Sequence, residues 1–391
     1  MNTNNEVYLT GFGIFLPGSP IKNEDIDNYL GVVSPELEKL KKVVLRSNGI
    51  KERFYALDSD GNPTHLSEDL AVSSAIAAIT DANISPSDVD LIVAATTLGD
   101  LIVPAFGQQL HGKLAEHGLG EVQCITSAGV CLSGMTALED AAIRIQLGKK
   151  KCALVNATER PSIAFRSSHY NAEFENEELL SSETDNYKFL DTAFLRWMLS
   201  DGSGSFVLQN HPKEKGMSLR LDWIDLMSHA DQSTACMYMG TNSNQGMTPD
   251  NTWLAQETLD IADSKGMLNI RQDAKLLKKS IASLGMVDLK RLIDSGKLNP
   301  SEISHFLPHL SSYSFAKEVS SAMEGAGYDL AENKWFTNLR NKGNTGCAAI
   351  FIILEEAVKN GLFKNGEKIL IMVPESARFS YCYAQFTCVE L

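Results

Sequence analysis

Three observations in the sequence predict an α/β fold built by duplication. Short β-branched runs alternate with amphipathic helical stretches, the pattern of parallel strands joined by crossover helices. One supersecondary unit occurs twice: residues 131–162 read CLSGMTALEDAAIRIQLGKKKCALVNATERPS and residues 344–380 read NTGCAAIFIILEEAVKNGLFKNGEKILIMVPESARFS. Both run turn, small residues, helix with an acidic pair, Gly, basic cluster, apolar strand, then Glu and Ser. The chain has 391 residues, 43% apolar and 21% charged, with only 12 Pro, which excludes collagen-like, low-complexity and disordered classes. At roughly 150 residues per domain this length fits two units, and the halves meet near residues 213–217. The expected division is therefore 1–212 and 213–391.

The elements follow in order from local composition. Strands are expected at 7–10, 91–95, 152–156, 205–208, 303–307 and 368–373, each a compact apolar or β-branched run. Helices fit between them, for example 67–82 and 273–283. Residues 171–186 are polar and rich in Glu, have little to bury, and read as a loop outside the core. A pocket at the junction of two such halves receives one residue from each copy, and Cys131 and Asn344 open the two repeated helices.

Charge and cysteine content narrow the function. Lys and Arg number 35 against 49 Asp and Glu, a net charge of −14, so phosphate backbones and anionic membrane surfaces are repelled and nucleic acid is not an expected partner. Seven cysteines, an odd number without CxxC spacing, fit neither a disulfide framework nor a zinc site. The start MNTNNEV has no basic and apolar signal pattern, and no apolar run approaches the ~18 residues that span a bilayer. A reducing cytoplasm without membrane insertion is the default, and there a single thiol can carry chemistry.

Cys131 follows SAGV and precedes LSGM, on a tight turn at a helix N-terminus, where the macrodipole and free N–H groups stabilise a thiolate and hold an oxyanion. The other six cysteines read as packing residues. His309 in ISHFLPHLSSYSF follows a short strand and a Pro, at the sheet edge where open α/β folds bind ligands. His305 alternates with Phe306 and fills core equally well, and the remaining six histidines have no such setting. Asn344 in NKGNTGCAA stands at the N-cap of the second repeated helix, and capping alone accounts for it. Beside His309, its amide would also donate a hydrogen bond to an enolate. Glu159 in NATERP ends the strand of the first repeat and corresponds to Glu375 in the second. It is a solvated strand-end carboxylate or, if reached by the pocket, an acid/base with a raised pKa. Arg166 and Arg378 are candidates for orienting it.

Cys131, His309 and Asn344 together resemble the Cys-His-Asn triad of the thiolase superfamily, and within it the β-ketoacyl-ACP synthase III branch. SNGIKERFYA (47–56) is similar to that branch's TGIxxRR stretch, LSDGSGSFVL (199–208) to FGDGAGAVVL, Pro308-His309 to its PH and Gly343-Asn344-Thr345 to its GNT. The likeness covers nearly the whole chain and implies a thiolase-like duplicated fold, with two pseudo-equivalent halves layered α-β-α-β-α. It also implies a homodimer, no cofactor, and acyl carrier protein or CoA thioesters as partners. Where the branch has HQAN this chain has His309-Leu-Ser-Ser312, and where it has a Gly-rich loop before FTWG this chain has Glu375-Ser-Ala-Arg-Phe-Ser-Tyr381.

Those departures are similar to the ketosynthase/cyclases that make dialkylresorcinol and stilbene precursors. The resemblance implies that a β-ketoacyl and an α,β-unsaturated acyl thioester are joined by Claisen condensation and closed by Michael addition to a cyclohexane-1,3-dione. Cys131 would be the nucleophile, with its own N–H and that of Ala377 as oxyanion hole. His309 and Asn344 would hold the enolate, and Glu159 would serve ring closure. An acidic carrier protein would need a positive patch, for which Arg46, Lys51 and Arg53 are candidates among Lys39, Lys41 and Lys42; Lys149, Lys150 and Lys151 read as a solvated loop. Ordinary chain initiation and Cys-dependent acyl transfer to oxygen or nitrogen are the alternatives.

Overall fold

The computed structural model describes residues 5–175, 191–243, 247–325, 327–328 and 334–391. The strands are β1 (Tyr8–Phe15), β2 (Ile21–Lys22), β3 (Glu52–Arg53), β4 (Leu91–Thr96), β5 (Gln123–Ala128), β6 (Cys152–Glu159), β7 (Gly202–Gln209), β8 (Met217–Ser228), β9 (Met237–Tyr238), β10 (Arg271–Gln272), β11 (Ile303–Pro308), β12 (Lys368–Glu375) and β13 (Ser380–Glu390). The helices are α1 (Ile26–Leu30), α2 (Glu38–Asn48), α3 (Ser67–Asp81), α4 (Phe106–Ala115), α5 (Ser133–Gln146), α6 (Asn171–Phe174), α7 (Leu259–Ser264), α8 (Ala274–Asp294), α9 (Ala316–Gly325), α10 (Leu339–Lys342) and α11 (Ala349–Lys359). All six expected strands and both expected helices form. The second of those helices is longer than expected: Asp273 caps its N-terminus by accepting the amides of Lys275 and Leu276, and its apolar face continues to Asp294. The stretch expected as a loop at 171–186 begins with the one turn of α6; its remainder lies outside the described residues.

Nine strands form one sheet in the order β11-β12-β13-β8-β1-β7-β6-β4-β5. It is mixed, which corrects the all-parallel expectation. Parallel pairing is confined to β4·β5, β4·β6 and β11·β12, while β6·β7, β7·β1, β1·β8, β8·β13 and β13·β12 run antiparallel. Read outward from the β1·β8 contact, each side has two antiparallel pairings followed by parallel ones, two beyond β6 and one beyond β12. That central contact holds only two residue pairs, Tyr8 with Arg220 and Leu9 with Leu219.

The apolar clusters define five layers. Residues of α3 and α4 pack on the outer face of β4, β6 and β7. The helices α5 and α11 pack between the two sides of the sheet, meeting strands from both. The far side of β11, β12 and β13 is covered by α8 and α9. This α-β-α-β-α stacking is the thiolase-like arrangement. The middle layer is tight: Phe206 of β7 stacks on Phe351 of α11 with ring centroids 4.2 Å apart, and a Cβ at Gly204 would overlap the Phe351 Cβ. Among the described residues, no helix is long and apolar enough to cross a membrane.

Candidate active site

β5 leads through Gly129 and Val130 to Cys131, which is buried on the turn that opens α5. Its own amide N–H is directed at its sulfur. Burial opposes the thiolate that the helix N-terminus favours. Burial pushes the thiol well above its ordinary range, and the carboxylates of Glu375 and Glu159 push it further. Glu375, the last residue of β12, lies beside the same turn, its Oε2 3.8 Å from where a Cβ at Gly129 would stand, and burial raises its pKa.

β11 ends at Pro308 and delivers His309 from the strand end. Its backbone is pinned by donating to the Met372 carbonyl of β12 at 2.8 Å. The ring is 2% exposed, and Nε2 has no hydrogen-bond partner among the described residues. Burial lowers the imidazole to about 4, so the ring is the neutral base at pH 7.

Asn344 is held on both sides: its N–H donates to the Met198 carbonyl at 3.0 Å and its carbonyl accepts from Ser200 at 2.8 Å. Its side-chain oxygen caps the following turn by accepting the Gly346 amide at 3.0 Å. The capping reading of this residue is what the hydrogen bonds show. The cap uses the oxygen and fixes the plane of the amide, leaving its NH₂ for the cavity that Asn344 lines.

Glu159 ends β6 and is buried. Thr97 donates to it from Oγ1 at 2.5 Å and from its amide at 3.3 Å, and the Cys347 amide donates at 3.2 Å. Burial raises its pKa against these bonds. Gly346 makes room for it: φ there is +54°, and a Cβ would lie 2.9 Å from Glu159 Oε1.

Two cavities converge on the cysteine. The first, about 50 Å³, joins Cys131 and His309 to a largely apolar chamber walled by α8, α9 and β13, including Leu289, Met323 and Tyr383. The second, about 40 Å³, joins Cys131 to Glu159, Asn344 and Thr97 and is walled by Leu195, Met198 and Ile270. Cys131, Ser311 and Ser376 line both. Gln272 donates from Nε2 to Ser376 Oγ at 2.8 Å and lines the second cavity. The sequence reading missed Thr97, Gln272, Ser311 and Ser376. Thr97 and Ser376 follow strands β4 and β12 directly, the one local signal that could have marked them.

Other expected residues are placed differently. Arg53 is 0% exposed and presents nothing to a docking partner: pairing of β3 with β2 turns it inward, where it donates to the Trp197 carbonyl at 3.3 Å. Lys41 is likewise buried, paired with Asp27 at 2.5 Å. Arg46 and Lys51 are exposed. Arg378 donates to the Ser233 carbonyl at 2.8 Å and Arg166 to that of Ile163, so neither orients Glu159. The Ala377 carbonyl accepts from Cys236 and Met237, while its amide takes no acceptor among the described residues. All seven cysteines are free.

Residues 293–373 match the family profile of the 3-oxoacyl-[acyl-carrier-protein (ACP)] synthase III C terminal. A β-ketoacyl-[acyl-carrier-protein] synthase III of Clostridium acetobutylicum is 25% identical over 368 residues, 94% of each chain. Among solved structures, the tetronic acid condensing enzyme AbyA1 superposes with a TM-score of 0.74 at 17% identity, covering 97% of this chain and 99% of its own. OleA of Xanthomonas campestris, solved with lauric acid and lauroyl-CoA, gives 0.71 at 17% identity, covering 99% and 100%. The fold and these relatives define the class, an acyltransferase with the thiolase-like architecture. More particularly, the chain is a condensing enzyme similar to β-ketoacyl-ACP synthase III.

Proposed function

We propose that this enzyme is a ketosynthase/cyclase that joins a β-ketoacyl and an α,β-unsaturated acyl thioester into a cyclohexane-1,3-dione. The observation that carries the reading is the convergence of two separate cavities on Cys131, both largely apolar, with the buried carboxyl of Glu159 beside the cysteine in the second. Two acyl groups can then meet at one sulfur.

Cys131 attacks the unsaturated thioester. Its proton passes to the unpartnered Nε2 of His309 as the S–C bond forms, and the donor's thiol departs with a proton. The N–H groups of Cys131 and Ala377 receive the oxyanion. His309, neutral again once that proton has left with the donor's thiol, takes a proton from the γ-carbon of the β-ketoacyl substrate; the carbanion, its enolate oxygen held by the protonated ring and the Asn344 NH₂, attacks the acyl carbonyl, and Cys131 leaves with the proton that His309 returns. The remaining step is a Michael addition. Glu159 removes the proton from the carbon between ketone and thioester carbonyls, that carbon bonds to the β-carbon of the unsaturated unit, and Glu159 returns the proton to the α-carbon, where the electron pair of the double bond has moved. Three carbons from each partner form a six-membered ring with two ketones.

Cys131→Ala should abolish the acyl adduct seen by intact-protein mass spectrometry; an adduct that persists sinks the nucleophile. Glu159→Gln should still acylate but release uncyclised polyketone or its lactone, with ring closure slowed ~10²–10⁴-fold. Cyclic dione at the parent rate would remove Glu159 from the mechanism. A linear β-ketoacyl product from the parent enzyme would return the chain to ordinary initiation.

The reading includes a homodimer and a carrier protein docked on Arg46 and Lys51. Arg340 supports that patch, since its carbonyl accepts the Lys51 amide at 2.8 Å and its guanidinium stacks over Tyr313. Charge reversal at Arg46 and Lys51 should raise KM for a carrier-bound substrate far more than for a small thioester mimic. Equal effects on both would place docking elsewhere.

A further inference from the structure

Because Ser311 and Ser376 line both cavities together with Cys131, two hydroxyls stand beside the nucleophile where the apolar walls meet. The fold prepares each of them for a ligand. Ser376 follows β12, and its neighbour Ala377 is tied to β9 by accepting the amides of Cys236 at 2.7 Å and Met237 at 3.1 Å. Gln272, 2% exposed on β10, donates from Nε2 to Ser376 Oγ at 2.8 Å. That bond occupies a lone pair of the hydroxyl and turns its proton elsewhere, where no described residue accepts it. Ser311 stands two residues after His309. Its neighbour Ser312 is committed to the turn ahead of α9, accepting the Ser314 amide at 3.2 Å and pairing with the Ser314 hydroxyl at 2.7 Å, whereas Ser311 Oγ has no hydrogen-bond partner among the described residues.

The other hydroxyls lining these cavities are already used: Thr97 donates to Glu159, Tyr381 to the Ile281 carbonyl, and Tyr383 to that of Gly285 at 3.0 Å. Two donors without acceptors are thus left at the cysteine itself. An alkyl chain laid over them would strip them of water and leave them unpaired, which turns such a site against any substrate that lacks the matching oxygen. A plain acyl thioester brings one carbonyl oxygen to this point; a β-ketoacyl thioester brings two. Both serines also lie in the stretches His309 to Ser312 and Glu375 to Tyr381, where the sequence departs from the β-ketoacyl-ACP synthase III pattern.

We propose that Ser311 and Ser376 are specificity-determining residues whose hydroxyls hold the second carbonyl oxygen of a 1,3-dicarbonyl thioester, with Gln272 the positioning residue that aims Ser376. The inference deepens the reading of the second substrate as a β-ketoacyl thioester and rests on it. While His309 and Asn344 hold the ketone oxygen, the serines take the thioester oxygen. The same contacts spread the charge of the carbanion that forms between the two carbonyls at ring closure.

The test is binding to Cys131→Ala, which cannot be acylated, of two probes of equal length, the N-acetylcysteamine thioesters of 3-oxooctanoic and octanoic acid, measured by isothermal titration calorimetry. With both serines present the 3-oxo probe should bind about tenfold or more tighter than the plain one. Adding Ser311→Ala or Ser376→Ala should cut that preference to about threefold or less by weakening the 3-oxo probe alone. No preference at the outset, a preference that survives both serine changes, or equal weakening of both probes overturns the proposal, the last being a packing effect. Should the serine variants not fold, Gln272→Met carries the test: it frees the Ser376 hydroxyl from its fixed direction and should lower the preference by about threefold, and an unchanged ratio overturns the proposal. A parent enzyme that forms no cyclic dione from β-ketoacyl and α,β-unsaturated thioesters, while the preference and its loss are both seen, would refute the reading of the reaction and leave the two serines as a 1,3-dicarbonyl site.

Discussion

His309 brings a neutral ring with an unpartnered Nε2 into an apolar chamber, and this has a measurable cost at low pH. Burial holds it at about 4 against an ordinary 6.5. The unfolded chain therefore takes up a proton between pH 6.5 and 4 that the folded chain refuses. Its contribution to stability is complete above pH 6.5 and is lost as pH falls toward 4. Urea unfolding of His309→Gln should show a smaller loss of stability between pH 7 and 4.5 than the parent, by about 2–3 kcal/mol. Identical losses would mean that the ring is not buried as the free base. At this scale the sequence was informative wherever function follows from a local setting. Cys131 on its turn, His309 after Pro308 and Glu159 at its strand end are all where their neighbours in the chain imply. Arg53 was not legible, because its burial is decided by pairing with Ile21, thirty-two positions away.

The elements that hold the site are strand ends and the turns that follow them. β6 and β12 end in Glu159 and Glu375, as the repeated unit implies, but Glu159 lines a cavity while Glu375 lies outside both cavities, beside Gly129. The turn ahead of α11 is fitted to the first of these. Gly346→Ala would place a methyl against Glu159 at a left-handed φ, costing about 1–3 kcal/mol. Ring closure should fail in this variant while Cys131 still acylates, an outcome read from product mass spectra and the adduct mass together. On the other side, α8 and α9 set the depth of the apolar chamber. Met323→Trp should fill part of it and lower kcat/KM for long acyl chains relative to short ones by about tenfold or more, measured with a chain-length series. An unchanged preference would mean that the acyl tail lies elsewhere. Of the elements, β8 and β13 escaped the sequence reading although they are the longest strands. β8 mixes buried and half-buried positions without clean alternation, and β13 is buried nearly throughout, so neither carries the period-two signature.

Across the whole molecule, the five layers depend on the close approach of α11 to β7. Gly204→Ala should overpack that contact against Phe351 and destabilise the fold by about 1–3 kcal/mol, seen as a lower urea midpoint. A neutral result would mean that the middle layer can give way. Duplication was legible because the two copies share a linear order of residue types; the mixed sheet was not, because strand direction is fixed by partners that the chain reaches only after long excursions. The strand order also decides what joins the site. β11 and β12, which deliver His309 and Glu375, are hydrogen-bonded to the rest of the sheet through β13. Without residues 380–390 the base and the nucleophile stand on two pieces of sheet with no strand between them, so trimming that strand should remove the active site as a unit instead of grading its rate.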